Sequence, residues 1–229
     1  MTTRAVAYTG TRNLYRDMIP GLKSLLISSD VDRVFLLIED DIFPYPLPRC
    51  VTTINVSGQQ FFRPIGPNFR TQWTWMTLMR CALARILPED LDRVLYLDVD
   101  TIVLGLTDLW DIDLGDCLVA GVPEPGKSQE RLYVNAGVLL FNLKQIREEH
   151  ADGVLIAALD TIPFAYPDQD ALNQVWQDRI LAISSCWNEN DFTARCRSPR
   201  ILHYAAIHNW AELPIVDYYR KAPWPKQGD

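Results

Sequence analysis

Short runs of apolar residues alternate along the chain with longer segments in which apolar residues recur at the spacing of a helix. The apolar runs predict strands at residues 4–10, 33–40, 50–58, 93–105, 117–122, 134–142, 180–184 and 200–204. Most of these runs are apolar on both faces, which is typical of a mainly parallel sheet covered by helices on both sides. The sequence therefore predicts an α/β fold in which ligands bind at the carboxyl ends of the strands.

The segments between the strands contain the predicted helices. Helical spacing places them at residues 13–29, within 71–90, and at 143–150, 152–160 and 169–178. Pro20 and Gly21 are expected to kink or split the first helix. The second is expected to be long, to begin at Thr71 and to end before Pro88.

The segment RVLYLDVDTIVLG, residues 93–105, ends a buried strand with two acidic residues, Asp98 and Asp100. Side chains at positions i and i+2 of an extended segment share a face, so both carboxylates point to one place beyond the strand. Converging carboxylates repel each other, and a divalent cation that prefers hard oxygen ligands relieves this repulsion. The pattern is compatible with a metal site, but aspartates also cap turns after strands, and this alternative stays open.

Length, composition and charge narrow the possible functions. The chain has 229 residues, which suits one domain, and a net charge of -7, which disfavours nucleic acid as a partner. No apolar run is long enough for a transmembrane segment and the first residues do not resemble a signal peptide, so a cytoplasmic location is expected. The five cysteines have no CxxC or CxxH spacing, and we expect them to be reduced and mostly structural.

The segment VLYLDVDTIVLGLTDLWDID, residues 94–113, closely resembles the central motif of the retaining nucleotide-sugar glycosyltransferases of family 8, which include glycogenin and bacterial lipopolysaccharide galactosyltransferases. Further segments resemble the same family in the same order: LMRCALARILPEDLDRVLYLD, VNAGVLLFNL, YPDQDALNQVW, SCWNEN and ILHYAAIHNW. The resemblance extends from about residue 4 to residue 210. Several matches in order are far more specific than one DxD pattern.

The resemblance implies a single GT-A (Rossmann-like) nucleotide-diphospho-sugar transferase domain at residues 1–212, followed by a C-terminal tail at 213–229. It implies transfer of a hexosyl group, with retention, from a nucleotide sugar such as UDP-glucose or UDP-galactose to a saccharide, glycoconjugate or other hydroxyl acceptor. Asp98, Asp100 and His203 would hold Mn2+, or Mg2+, which would bridge the two phosphates of the donor. Without the resemblance, His203 would be interpreted as a histidine packed at a strand end.

The resemblance also implies which residues contact the donor. Arg80, Asp168 and Gln169 are the predicted catalytic residues. The remaining predicted donor contacts are Tyr8, Thr9, Asp98, Val99, Asn135, Ala136 and His208. Two residues have structural alternatives, since a helical Arg80 commonly forms a surface salt bridge and Asp168 can cap a helix. Gln169 matches the position of a nucleophile behind the sugar, but an amide is a poor nucleophile, and we expect attack from the front face.

The chain also departs from the family pattern. Where the family has an acidic residue for the uracil ring, this chain has Tyr8 and Thr9, and where the family has a lysine near the diphosphate, it has His208. Trp73 and Trp75 belong to an aromatic segment that could border the acceptor site. Rings at helical spacing more often pack, and we interpret these two as packing residues.

Two other functions compete with the transferase. Haloacid dehalogenase-like phosphatases carry a DxDxT motif after an apolar strand, and YLDVDTIV fits it, with Asp98 as nucleophile and Asp100 as acid/base. That motif normally opens its domain, whereas several predicted strands precede it here. The second competitor is a non-catalytic sugar-nucleotide binding protein, against which the presence of Asp98, Asp100, Gln169 and His203 argues.

Overall fold

The computed structural model of the protein describes residues 3–127, 131–190 and 196–225. Within these residues the strands are β1 (Ala5–Thr9), β2 (Arg33–Ile38), β3 (Val51–Asn55), β4 (Val94–Leu97), β5 (Thr101–Val103), β6 (Val119–Pro123), β7 (Val134–Phe141), β8 (Ile180–Ala182) and β9 (Ile201–His203). The α-helices are α1 (Tyr15–Ser28), α2 (Leu83–Ile86), α3 (Leu143–Glu149), α4 (Ala151–Thr161), α5 (Pro167–Val175) and α6 (Pro214–Lys221). Short 3-10 helices lie at Arg12–Leu14, Trp75–Ala82, Gln177–Arg179, Ser185–Trp187 and Trp210–Glu212.

The central sheet of the described residues has seven strands in the order β3-β2-β1-β4-β7-β6-β8. Strands β3, β2, β1 and β4 are parallel to one another, β7 is antiparallel to β4 and β6, and β8 is parallel to β6. The predicted α/β class with a mainly parallel sheet is confirmed. The order places β4 at the centre, so Asp98 and Asp100 follow a central strand at its carboxyl end, where such sheets bind ligands.

Alternate side chains of β4 pack into two apolar layers, one on each face of the sheet. Tyr96 belongs to the layer that contains α5 and the 3-10 helix Trp75–Ala82, whereas Leu95 and Leu97 belong to the layer that contains α1. All three side chains are completely buried, and burial of one such leucine contributes about 2 kcal/mol. By the same alternation, Asp98 continues the face of Tyr96.

A two-stranded antiparallel ribbon, formed by β5 and β9, extends beyond the end of β4. Its register pairs Thr101 with His203 and Ile102 with Leu202. The N–H group of Tyr204 donates to the carbonyl of Asp100 at 2.9 Å. A histidine that is far away in sequence is thereby placed beside the acidic turn.

The prediction of one long helix within residues 71–90 is wrong. The chain turns at residues 71–74, forms a 3-10 helix at Trp75–Ala82 and then a single short α-helix, α2. The first half of this segment, TQWTWMT, is rich in tryptophan and threonine, which are weak helix formers. Thr74 has an extended backbone, with ψ 150°, and this conformation delays the start of the helix.

The two prolines that were expected to interrupt helices behave differently. Pro20 lies inside α1 without splitting it, since the helix is continuous from Tyr15 to Ser28. It removes one backbone hydrogen bond, and the apolar face that includes Met18 and Leu22 stays fully buried. Pro88 acts as predicted, because the residue before it, Leu87, is extended and ends α2.

Cys186 and Cys196 form a disulfide bond, so the prediction that the cysteines are reduced is wrong for this pair. Ten positions separate the two cysteines. Close to the bridge, Glu189 pairs with Leu202 of β9, and its carboxylate accepts from the N–H group of Cys196 at 2.9 Å. Such a bridge follows from tertiary pairing, and no local cysteine spacing predicts it.

Helix α6 lies in the segment 213–229 that the sequence assigns to a tail. It packs against α1, and Lys23 donates to the carbonyls of Arg220 and Ala222 at its end. Residues 226–229 of the predicted tail lie outside the described residues. No helix in the described part of the chain is long and apolar enough to span a membrane.

Candidate active site

A cavity of about 530 Å3 opens at the carboxyl ends of β1 and β4, beside the start of α5 and the end of β9. Most of the predicted site residues line it, namely Thr9, Arg80, Asp98, Val99, Asp100, Asn135, Ala136, Asp168, Gln169 and His203. These residues come from several strands and helices that are distant in sequence. The fold therefore assembles most of the predicted site in one place.

Asp98, Asp100 and His203 form a cluster whose possible ligand atoms all lie within 4.8 Å of one another. The Nε2 atom of His203 is 3.3 Å from Asp100 Oδ1 and 3.9 Å from Asp98 Oδ2. The imidazole is buried, whereas the side chains of Asp98 and Asp100 are 27% and 24% exposed. The cluster is a partly open set of two carboxylates and one imidazole, which is a donor set that divalent cations accept.

Gly137 makes room for this cluster. It lies opposite Asp98 in the sheet, because the N–H group of Asp98 donates to its carbonyl at 2.8 Å. A Cβ atom on Gly137 would lie 2.1 Å from His203 Cε1, 2.7 Å from His203 Nε2 and 2.8 Å from Asp98 Oδ2. Its φ angle is not positive, so the requirement for glycine comes from the packing of the histidine and not from the backbone.

The charges within the cluster stabilise one another. Burial by itself would lower the pKa of His203, but the carboxylates of Asp100 and Asp98 raise it above its usual value. Burial by itself would raise the pKa of Asp100, but His203 lowers it below its usual value. Since a metal ligand must be a neutral imidazole, a cation at this site competes with the proton that the carboxylates favour.

Arg80 links carboxylates from two different elements and is 4% exposed. Its Nη2 atom is 2.8 Å from Asp98 Oδ1, its Nε atom is 3.0 Å from Asp168 Oδ2, and its Nη1 atom donates to the carbonyl of Ala136 at 2.6 Å. Burial would lower the pKa of Arg80, but Asp168 and Asp98 raise it, so the guanidinium stays charged. The salt bridge of Arg80 is therefore buried within the site and not on the surface.

Replacing Arg80 by methionine is expected to lower the free energy of unfolding by about 3 kcal/mol, because Asp168 is left buried without its charged partner. Urea denaturation measures this change. Arg4→Met is a matched control, since Arg4 pairs with the exposed Asp30 at 2.8 Å, and it should cost less than about 1 kcal/mol. Equal losses in the two variants would contradict a structural role of Arg80 in the site.

The first turn of α5 contains two aspartates with different partners. Asp170 accepts a hydrogen bond from the N–H group of Tyr166 at 2.8 Å and so caps the start of the helix. The sequence had left this capping role open for Asp168. Asp168 is 8% exposed and pairs directly with Arg80, which also lines the cavity. Burial raises the pKa of Asp168 above its usual value, although Arg80 opposes this shift. Asp168 is therefore available to the site and does not act as the cap.

Gln169 and Asn135 share Glu124, which no sequence motif identified. The Oε1 atom of Gln169 accepts from the N–H group of Ala136 at 2.8 Å, and its Nε2 atom lies 3.5 Å from Glu124 Oε2 and 3.3 Å from the hydroxyl of Tyr133. Asn135 Nδ2 donates to the same Glu124 oxygen at 2.6 Å. Glu124 directly follows β6, and an acidic residue after a predicted strand is the one signal that could have found it.

Two predicted donor contacts lie outside the cavity lining. Tyr8 is completely buried in the apolar layer that contains α1, because strand alternation directs its side chain away from the face of Thr9, and its contact with the donor stays a prediction. His208 is exposed and is not among the lining residues. The lining near the end of β1 consists of Thr9, Gly10, Thr11 and Leu14.

The two tryptophans interpreted as packing residues have different environments. Trp75 stacks on Phe69, with ring centroids 5.8 Å apart and planes at 11°, which agrees with packing. Trp73 lines the cavity and faces Tyr166, with centroids 5.9 Å apart and planes tilted by 39°. These two rings are 40% and 46% exposed, so they form an aromatic rim at the cavity.

The charges of the cavity fit a divalent cation. Four carboxylates, Asp98, Asp100, Glu124 and Asp168, line the cavity together with the guanidinium of Arg80. The lining therefore has an excess of negative charge, which repels a phosphate-bearing ligand unless a cation lies between them. The clustered donor atoms of Asp98, Asp100 and His203 provide the place for such an ion.

Solved structures define the class of this fold. The crystal structure of the glycosyltransferase GlyE in Streptococcus pneumoniae TIGR4 matches with a TM-score of 0.75 and 24% identity, over 98% of this chain and 62% of that chain. The crystal structure of the galactosyltransferase LgtC in complex with donor and acceptor sugar analogs matches with a TM-score of 0.70 and 19% identity, over 94% and 95% of the two chains. The predicted GT-A fold is confirmed.

Residues 49–205 match the family described as Glycosyl transferase family 8, and the chain belongs to this family. The chain is 29% identical over 206 residues to the glycosyltransferase GlyE of Streptococcus pneumoniae serotype 4 (strain ATCC BAA-334 / TIGR4), covering 82% of this chain and 48% of GlyE. It is 26% identical over 191 residues to the lipopolysaccharide 1,2-glucosyltransferase of Escherichia coli (strain K12), covering 66% and 56%. The chain spans about half, or less, of the length of the curated relatives that it matches.

This family membership confirms the resemblance to glycosyltransferase family 8 that the sequence motifs indicated. The haloacid dehalogenase-like alternative is wrong, because both the fold and the family are those of glycosyltransferases.

Proposed function

We propose that the protein is a metal-dependent retaining glycosyltransferase that moves a hexosyl group from a nucleotide sugar to a saccharide or other hydroxyl acceptor. The observation that carries this proposal is the cluster of Asp98, Asp100 and His203 in a cavity that Arg80 and Asp168 also line. Family membership supports the reaction class. The names of two similar proteins, the lipopolysaccharide 1,2-glucosyltransferase of Escherichia coli and the galactosyltransferase LgtC, support glucose or galactose as the sugar.

Asp98, Asp100 and His203 would hold Mn2+, or Mg2+, and the mixture of carboxylate oxygens with an imidazole nitrogen favours Mn2+. When bound, the cation would neutralise the negative charge that develops on the departing diphosphate. The protein fixes one oxygen of Asp98 for this purpose, since Arg80 and the hydroxyl of Tyr96 both contact Oδ1. The other oxygen, Oδ2, remains on the side of His203.

The donor would lie across the cavity, with its base near the end of β1 and its sugar near the start of α5. Thr9, Thr11 and backbone groups supply polar contacts at the first end. Asn135 and Gln169 supply them at the second. We expect orientation of the donor to depend on these hydrogen bonds and on the charge of the diphosphate.

In this proposal Gln169 binds the sugar and does not act as a nucleophile. Its Oε1 atom already accepts a hydrogen bond from Ala136, and a neutral amide oxygen is weakly nucleophilic. The proposed route is attack from the front face. The acceptor hydroxyl passes its proton to an oxygen of the leaving diphosphate, while the new C–O bond forms on the face from which the diphosphate departs. Arg80 acts by positioning Asp98 and Asp168 during this step.

The proposed function is tested by incubating the protein with Mn2+ and a panel of sugar nucleotides and measuring the release of nucleoside diphosphate. We expect slow hydrolysis of a UDP-hexose that stops when EDTA is added. Release of inorganic phosphate from sugar phosphates would instead indicate a phosphatase. Saturable donor binding without release would indicate a non-catalytic binding protein.

Trp73→Ala is expected to reduce transfer to a saccharide acceptor by about fivefold, because a stacked ring of the aromatic rim contributes about 1 kcal/mol. Hydrolysis of the donor by water should be unchanged, since this reaction needs no acceptor. The ratio of transfer to hydrolysis, followed by chromatography, measures the effect. Tyr45→Ala, which removes an exposed ring outside the cavity, is the control and should leave the ratio unchanged. An equal loss of both reactions in Trp73→Ala would place Trp73 at the donor.

A further inference from the structure

Asn188 is a buried amide that contacts the histidine of the cluster and has no role in the function proposed above. It follows the 3-10 helix Ser185–Trp187, and none of its surface is exposed. Its Oδ1 atom lies 3.0 Å from His203 Nδ1, and its Nδ2 atom donates to Asn135 Oδ1 at 2.9 Å. The amide therefore joins the histidine to a polar residue of β7.

The orientation of this amide follows from its neighbours. The N–H group of Gly137 donates to Asn135 Oδ1 at 2.9 Å, and Asn135 Nδ2 donates to Glu124 Oε2 at 2.6 Å. A backbone N–H group only donates and an ionised carboxylate only accepts, so the amide of Asn135 has one orientation. The Asn188 atom that faces Asn135 Oδ1 must then be the NH2 group, and the atom that faces His203 must be the acceptor oxygen.

Acceptors flank both ring nitrogens of His203, since Asn188 Oδ1 faces Nδ1 at 3.0 Å and Asp100 Oδ1 faces Nε2 at 3.3 Å. A cation between Nε2 and the carboxylates would take the place of a proton on Nε2, and the one hydrogen of the neutral ring then lies on Nδ1, where Asn188 accepts it. The lone pair is then on Nε2, and Nε2 is the atom that faces Asp100 Oδ1 at 3.3 Å and Asp98 Oδ2 at 3.9 Å. A histidine ligand needs its lone pair on the side of the metal, and the hydrogen bond at the other ring nitrogen selects that tautomer. The geometry thus links a fixed backbone N–H group in β7 to the ligand atom of His203.

We propose that Asn188 is a positioning residue that holds His203 in the Nδ1–H tautomer and so presents Nε2 to a divalent cation. The inference rests on the proposed metal site. The backbone on both sides of Asn188 is anchored, because its N–H group donates to the carbonyl of Ser185 at 3.1 Å and the N–H group of His203 donates to the carbonyl of Glu189 at 3.0 Å. The disulfide at Cys186 holds the same segment.

The first test measures the Kd of the full chain for Mn2+ alone by isothermal titration calorimetry. Asn188→Leu is expected to raise this Kd by about ten- to a hundredfold, the usual effect of losing the group that orients a histidine ligand. Asn188→Asp keeps an oxygen beside Nδ1, and its Kd should be closer to that of the wild type. Asn68→Leu is the control, since Asn68 is a buried amide that donates to the carbonyls of Leu159 and Ile162 away from the cavity. Its Kd should be unchanged.

The second test uses the wild-type protein and does not depend on whether a variant of Asn188 folds. The chain has three histidines, so a long-range 1H–15N spectrum, recorded with saturating Mg2+ (which is diamagnetic) at alkaline pH where imidazoles are neutral, resolves each ring. His203→Gln assigns the signals of His203, and we expect the Nδ1–H tautomer. An Nε2–H tautomer, or the same Kd in the wild type and in Asn188→Leu, would overturn the inference and leave the proposed function intact. A wild type that binds no Mn2+ would overturn the proposed function and the inference with it.

Discussion

Replacing Asp100 by alanine is expected to lower the Mn2+-dependent release of diphosphate from the donor by at least about a thousandfold, or about 4 kcal/mol of transition-state stabilisation. The reason is that Asp100 is the carboxylate nearest to His203 Nε2, and its loss leaves two of the three clustered donors. The excess negative charge of the cavity would then face the diphosphate with a weakly held cation. Initial rates of diphosphate release at saturating donor measure the change.

The control for this variant is Asp90→Ala, which removes a 66% exposed carboxylate that pairs with Arg33 on the surface. It should leave the rate unchanged and alter the free energy of unfolding by less than about 1 kcal/mol. Mn2+ affinity is measured on the same samples, so that loss of the metal is distinguished from loss of the fold. An Asp100→Ala protein that keeps both its Mn2+ affinity and its rate would contradict the assignment of Asp100 as a ligand.

The second large effect is expected from Gly137→Ala, although the change adds only one methyl group. The new Cβ atom would lie 2.1 Å from a ring carbon of His203, so the imidazole has to leave its place between the two aspartates. We expect Mn2+ affinity to fall by more than about a hundredfold and the free energy of unfolding to fall by about 2 kcal/mol, since the site is overpacked. Calorimetric titration and urea denaturation measure the two quantities.

Gly153→Ala is the matched control for this variant. Gly153 lies in α4, and the nearest atom to an added Cβ is Arg85 Nη2 at 3.6 Å, an ordinary contact. The substitution should stabilise the helix by about 0.5 to 1 kcal/mol and leave the metal affinity unchanged. If Gly137→Ala binds Mn2+ as tightly as Gly153→Ala, His203 is not a ligand in the arrangement described above.

The sequence predicted the strands well because their apolar runs are a local signal. Leu95 and Leu97 on one face and Tyr96 on the other are all buried, and so β4 reads as a continuous apolar run that ends at Asp98. The same property explains why the sequence did not indicate that the side chain of Tyr8 lies away from the cavity. A strand that is buried on both faces has no polar side, so its sequence does not indicate which residue faces the cavity.

The helix error has a different physical origin. Residues of a 3-10 helix and of an α-helix recur on one face at similar spacing, so the apolar pattern within 71–90 does not separate them. The segment Trp75–Ala82 keeps the 3-10 form while Arg80 bonds to the carbonyl of Thr77, to Ala136 and to two carboxylates. These contacts come from other parts of the fold, and local propensity contains no information about them.

The remaining features depend on pairing between distant strands. His203 was identified through resemblance alone, since its position beside Asp100 follows from the register of β5 with β9. The disulfide of Cys186 and the contact of Asn188 with His203 follow from the segment that packs beside β9. Such long-range pairing is set by the whole fold, and a local pattern does not specify it.

The most direct test of the metal site is anomalous diffraction at the manganese edge from crystals grown with Mn2+ and UDP. We expect one strong anomalous peak in contact with Asp98, Asp100 and His203 Nε2, and no peak at these residues in crystals of Asp100→Ala. UDP that binds in the cavity without a manganese peak at these three residues would contradict the account.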